Sequence, residues 1–87
     1  MDNYRCTYTE AATATTIKTG AGVLRAIVVG STPTKAIEIY DSAGSGGTKL
    51  GELAASCPID TYAFNCSFAT GLHISNSGGA KISIIYR

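Results

Sequence analysis

The stretch Tyr62–Tyr86, YAFNCSFATGLHISNSGGAKISIIY, decides the fold class. Strand side chains alternate between two faces with a period of two. In Tyr62–Phe68, Phe64, Cys66 and Phe68 share one face, and Asn65 and Ser67 the other. In Leu72–Ser75, Leu72 and Ile74 point inward and His73 outward. In Lys81–Tyr86, Ile82, Ile84 and Tyr86 align against Ser83 and Ile85. Between the last two runs, Asn76-Ser77-Gly78-Gly79 supplies residues that tolerate positive φ, as a hairpin requires.

Working outward, the same alternation and turn spacing give five earlier strands: Tyr4–Thr9, Thr15–Lys18, Val23–Val29, Ala36–Tyr40 and Lys49–Leu53. Gly20-Ala21-Gly22, Thr32–Lys35, the Gly-rich tract Ser42–Gly47 and Cys57-Pro58 separate them. The one tract of helix-forming composition, Leu50–Ala55, is too short to hold a helix alone. Many short, one-sided strands need two sheets packed face to face or a closed barrel. The expectation is an all-β chain, an antiparallel β-sandwich of about seven to eight short strands. Residues 14–87 form the sandwich and residues 1–13 an N-terminal arm or edge strand. Phe64, Phe68, Leu72, Ile74, Ile82 and Ile84 are expected in the core.

Val23–Val29 breaks the pattern, being apolar on both faces apart from Arg25. Two readings stay open. The outward side meets a partner subunit, or a bulge shifts the strand's register.

Composition limits what the chain can do. At 87 residues it is one domain with modest stability of its own. Apolar residues make up 45% and charged residues only 15%, so Ser, Thr, Gly and Ala cover much of the surface. Such a surface meets protein with few ions to desolvate. The net charge is +1 and the basic residues are scattered, which argues against nucleic acid. No apolar run reaches the ~20 residues that span a bilayer, so no membrane partner is expected. The N-terminal MDNYRCTYTE has no apolar core and does not read as a signal peptide. Three cysteines, Cys6, Cys57 and Cys66, then read as reduced small hydrophobes, with Cys66 buried. The sharper alternative is a Cys57–Cys66 bridge or an intersubunit bond.

Chemistry-bearing constellations are missing. One His and no CxxC make a metal site unlike this chain, and no cofactor is expected. Cys66 and His73 are the only Cys–His candidates, and alternation sends them to opposite sides, leaving His73 as a solvent or interface histidine. Asp2, Glu10, Glu38, Asp41, Glu52 and Asp60 are too dispersed for a carboxylate pair. Gly44–Lys49 lacks both the residue order of a phosphate-binding loop and a following helix. The expected class is a non-enzymatic protein-binding domain.

The run Thr16–Val29 (TIKTGAGVLRAIVV), with Ile37–Asp41 (IEIYD), Gly47–Leu50 (GTKL), Gly71-Leu72 and Ile84–Arg87 (IIYR), resembles small β-sandwich virion proteins of tailed bacteriophages, of the capsid decoration or cement type. That resemblance implies a viral structural protein made in the host cytoplasm and placed on the capsid surface of the virion. Its partner would be the major capsid protein of a tailed phage, with a low-order homo-oligomer as a further state. Its function would be to bridge capsid subunits and stabilise the head. The interface expected on this reading draws on Asp2, Tyr4 and Arg5 of the N-terminal arm, with Arg25 and Tyr40. A tail or head-fibre module is the alternative. A carbohydrate-binding sandwich is the second, weakened by the absence of Trp and the few free tyrosines, Tyr40 and Tyr62.

Overall fold

A computed structural model describes residues 4–10, 12–44 and 47–87. They form eight strands: β1 (Arg5–Thr9), β2 (Ala14–Thr19), β3 (Gly22–Val29), β4 (Ile37–Asp41), β5 (Thr48–Leu53), β6 (Thr61–Phe68), β7 (Gly71–Ser75) and β8 (Ile82–Tyr86). Every expected strand is present, displaced by no more than one residue at either end. No helix occurs among the described residues.

The strands pair antiparallel in two four-stranded sheets, ordered β1-β8-β3-β6 and β2-β7-β4-β5. This is jelly-roll order, in which the chain crosses between sheets at nearly every turn. Only β4 and β5 are both consecutive and paired. The expected hairpin at Asn76–Gly79 is therefore corrected: β7 and β8 lie in different sheets. What the turn residues build instead is a corner. Asn76 is 1% exposed; its Nδ2 donates to the Ala80 carbonyl at 2.8 Å and its Oδ1 accepts from the Ala80 amide at 3.2 Å. Both backbone groups of the buried Ala80 are thus satisfied by one side chain.

The core lies between the sheets. Leu24, Ile27 and Val29 of β3 meet Ile82 and Ile84 of β8 on one side, and Ile37, Ile39, Leu72 and Ile74 of β4 and β7 close it from the other. Each such aliphatic side chain contributes about 1.5–3 kcal/mol through burial. Five of the six expected core residues are buried as read. Phe64 is only half-buried, because β6 is an edge strand and the core is open beyond it.

The two-faced β3 resolves into a bulge. Against β8, Leu24 pairs with Tyr86 and Ala26 with Ile85, so Arg25 is an extra residue. Against β6, Leu24 pairs with Cys66 and Ala26 with Ala63, so β6 in turn carries one residue more than β3. Asn65 takes a positive φ of 50° there. The extra residue flips the parity of β3. Leu24 points inward before it, and Ile27 and Val29 point inward after it. Val23, Ala26 and Val28 are left on the outside, alongside Ser67, Ala63, Ile85, Ser83 and Thr61.

Replacing Asn76 by Ala strands the amide and carbonyl of Ala80 in the interior. Chemical denaturation should show a loss of ~1–3 kcal/mol with an unchanged m-value. A variant as stable as wild type would mean that water enters the corner freely.

Candidate functional site

The two outer faces of the sandwich differ in chemistry. Register places Cys6 and Tyr8 of β1, Ser83 and Ile85 of β8, Val23, Ala26 and Val28 of β3, and Thr61, Ala63 and Ser67 of β6 on the outside of the first sheet. None carries a charge. Charge enters this sheet at Arg25, exposed in the middle of β3, and at Arg5, exposed at the start of β1; Arg87, Lys81 and Glu10 lie beyond the strand ends. The second sheet turns Thr16, His73, Ser75, Glu38, Tyr40, Lys49 and Glu52 outward. There Lys49 forms ion pairs with Glu38, at 3.0 Å, and with Glu52.

The sequence-derived interface residues do not form one surface. Asp2 lies outside the described residues. Tyr4 and Arg25 come together on the first sheet: the Tyr4 ring, 38% exposed, lies 5.3 Å from the Arg25 guanidinium and 5.4 Å from that of Arg87. Both distances are within cation–π range. Arg5 is exposed at the start of β1, opposite Tyr86. Tyr40 sits on the other side of the molecule, half-buried opposite His73 and Lys49. Residues that the sequence reading did not assign to a surface are Tyr8, Val28, Ala63, Ser83 and Ile85. Two signals pointed to them: the two-faced Val23–Val29 run, and the adjacent Ile84 and Ile85, of which only one can face the core.

His73 and the cysteines make no reactive pair. His73 is 7% exposed, where the sequence led us to expect a solvent or interface histidine. It does point outward, but it lies on a central strand between Thr16 and Tyr40, and its Nδ1 is 3.0 Å from the Thr16 hydroxyl. Cys66 packs against the core from the opposite sheet. It is free and half-buried rather than buried, and burial pushes its thiol pKa up. Cys6 and Cys57 are also free. Among the described residues no ligand-sized cavity opens, and no three His, Cys, Asp or Glu side chains cluster to hold a metal ion.

No protein family and no curated protein matches the chain. A solved structure does: the Drosophila NLP-core, whose structure is described as giving insight into pentamer formation and histone binding. The likeness has a TM-score of 0.64 at 13% identity and covers 99% of this chain and 97% of that one. At this identity it is a likeness of fold.

The match overturns the resemblance to tailed-phage virion proteins, because a structure similar to this chain over nearly its full length is the Drosophila NLP-core, described for pentamer formation and histone binding, and not a phage protein. The capsid decoration and cement function falls with it, as do the major capsid protein as partner, the low-order oligomer and the location on a capsid surface in a host cell. The physical reason lies in the motifs themselves. Thr16–Val29 and Ile37–Asp41 are alternating strands and tight turns that any sandwich of this strand order requires. Gly22, for example, has the Arg87 carbonyl and the Phe68 ring where a Cβ would stand. Such patterns identify an architecture and carry no information about what binds it.

Asp41, Glu38 and Glu52 are engaged by the fold itself. The Asp41 carboxylate accepts from the amides of Ala69 at 3.0 Å, Thr70 at 2.8 Å and Gly71 at 3.3 Å, fixing the β6–β7 corner to the end of β4. Those amides, Ala69 first, hold its pKa below the usual value. The Lys49 ammonium, by hydrogen bond and then by charge, does the same for Glu38. Groups with depressed folded-state pKa values stabilise the fold above their unfolded pKa, and that stabilisation disappears as pH falls through the folded values. Urea midpoints should therefore fall as pH drops below ~4. Asp41→Asn should be less stable than wild type at pH 7 and show a flatter acid dependence. Parallel pH profiles for the two proteins would remove Asp41 from this role.

Proposed function

We propose that this chain is a non-enzymatic, nucleoplasmin-like assembly module that associates with further copies of itself through the outer face of sheet β1-β8-β3-β6. One observation carries the reading: the strands of that sheet carry no acidic residue and, apart from Arg5 and Arg25, no charge, while the opposite face holds the Lys49 ion pairs. The face turns Tyr8, which is 56% exposed, the exposed Ala63 and the half-buried Val28 and Ile85 outward together, an apolar surface that a partner can cover. Dispersion and apolar burial across such a face need no compensating ion pairs.

The similar structure supports the same reading, since NLP-core is described in terms of pentamer formation. Its other described property, histone binding, finds less support in the charge of this chain. Histones are basic, and a binder attracts them with an excess of acidic surface. Here the net charge is +1, and Glu38 and Glu52 are paired with Lys49. Assembly is the function proposed, and a basic protein partner is an outcome for experiment.

Native mass spectrometry and light scattering at micromolar concentration should give a multimer. Ser83 lies at the centre of the face, opposite Tyr8 on one side and Val28 on the other. Ser83→Glu places a charge to be desolvated there and should raise the concentration needed for assembly ~100-fold, with an unchanged circular dichroism spectrum. Titration with a core histone at physiological salt should give no saturable binding. A monomeric wild-type protein at high concentration, or a Ser83→Glu multimer, would refute the assembly reading.

A further inference from the structure

Four of the seven cations of the chain gather at one end of the sandwich, where β1 and β3 begin and β8 ends. Arg5 opens β1 opposite Tyr86. Arg87 follows β8 and is tied to Val23 by two backbone hydrogen bonds, of 2.8 and 3.0 Å. Arg25 is the bulge residue of β3, exposed between Leu24, which pairs with Tyr86, and Ala26, which pairs with Ile85. Lys18 reaches the same end from the second sheet. Its Nζ donates to the Ala21 carbonyl at 2.8 Å, and a Cβ on Gly22 would stand 3.0 Å from it.

The described acids do not neutralise this end. Glu10 follows Thr9, which pairs with Ile82, and the Asp60 carbonyl accepts from the Val29 amide, so both lie at the opposite end. Glu38 and Glu52 are paired with Lys49, and Asp41 holds three backbone amides. Neither Arg5 nor Arg25 forms an ion pair among the described residues. The Tyr4 ring gathers two of the cations. With the Arg25 and Arg87 guanidiniums 5.3 and 5.4 Å from its centroid, the two stand within about 11 Å of each other. A guanidinium laid against a ring gives up rotamer freedom before any ligand arrives and keeps its planar fork of N–H donors for a carboxylate.

We propose that this end of the first sheet docks an acidic segment of a partner protein, an extended peptide with carboxylates at alternate positions. Charge complementarity selects the partner: four cations converge where the described acids are remote or engaged. Alternate side chains of an extended chain leave one face roughly 7 Å apart, a spacing that Arg25 and Arg87 can both serve. A nucleic acid is the poorer fit. Its phosphates recur along the whole strand and need a track of cations. Here the cations stop at Arg25, and beyond it the sheet turns Cys6, Ile85, Val28 and Tyr8 outward. The inference does not depend on the assembly reading. Along the outer side of β8, Ile85 separates Arg87 from Ser83, so the two surfaces can be altered one at a time.

The test is fluorescence anisotropy with a labelled peptide of alternating Glu and Ser, on full-length wild type and on Ser83→Glu. Both proteins should bind it saturably at low salt, and neither should bind the same peptide with Gln in place of Glu. Arg25→Gln should weaken binding ~10-fold. Arg25→Lys should weaken it less, since it keeps the charge and loses the fork. Tyr4→Leu leaves the net charge unchanged and removes the ring that gathers the guanidiniums; it should weaken binding ~3-fold or more. Lys81→Gln removes one charge at the opposite end and should bind as wild type does. All four substitutions fall on exposed residues and should leave the circular dichroism spectrum unchanged. The proposal is overturned if neither protein binds the Glu peptide, if Lys81→Gln weakens binding as much as Arg25→Gln, or if a single-stranded oligonucleotide binds more tightly than the peptide. A monomeric wild type that binds the peptide would remove the assembly reading and leave this one standing.

Discussion

The parity of β3 governs the rest of the molecule. A strand between two neighbours in a sheet can send alternate side chains only to alternate faces. Leu24 and Ile27 both have to reach the core, and three positions apart they cannot do so in a regular strand. The extra residue at Arg25 resolves the conflict, and β6 follows with an extra residue of its own around Phe64 and Asn65. Bulges of this kind sharpen the local twist and bend the strand. They also settle which residues are left outside. Without the flip Ala26 and Val28 would turn to the core, and Ile27 and Val29 would turn outward.

The two sheets divide the work accordingly. The sheet containing β7 and β4 ends in water. It covers its central histidine with Thr16 and Tyr40 and satisfies its edge with Lys49, whose pairing with Glu38 and Glu52 raises the ammonium pKa and lowers that of Glu38. An edge strand bearing a lysine is poorly disposed to pair with another chain. The sheet containing β3 and β8 has no such device on its face, and its β6 edge is free of charge along its whole length. The two sheets thus differ in their acids: the β4–β5 side holds Glu38 and Glu52 paired with Lys49, and the strands of the other sheet hold none.

The strands were legible because each depends on a local signal: alternation within the strand and glycine or proline at its ends. Partner choice has no local signal. Asn76–Gly79 has the residues of a hairpin, yet Asn76 uses them to turn the chain between sheets, because Leu72 and Ile74 must close the core from one side and Ile82 and Ile84 from the other. His73 could be placed on the outward face by parity but not given its burial, which comes from its neighbours in two strands remote in sequence. Phe64 was placed on the right face, and its partial exposure follows from β6 being an edge, a property of topology. The surface was half legible. Val23–Val29 and Ile84-Ile85 marked an outward apolar face, whereas the meeting of Arg25 and Arg87 at Tyr4 joins residues remote in sequence and carried no pattern at all. The supposed phage likeness failed for a related reason, since strand and turn patterns report architecture and the partner is set by what lies outside them.

Size links stability to assembly. A chain of 87 residues buries a smaller share of its surface than larger domains do, and its core here is one layer of aliphatic side chains between two sheets. No disulfide supplements it among the described residues. The partly buried Phe64 and Cys66 of β6 and the outward-facing Tyr8, Val28 and Ile85 of the first sheet leave apolar surface in contact with solvent. A copy that covered this surface would supply burial that the isolated chain lacks, and any partner that binds only the folded state stabilises it by mass action. On the assembly reading, the outward-facing Val28, Ala63 and Ile85 are surface that a neighbouring copy would cover, and that burial would add to a core left partly open at Phe64 and Cys66.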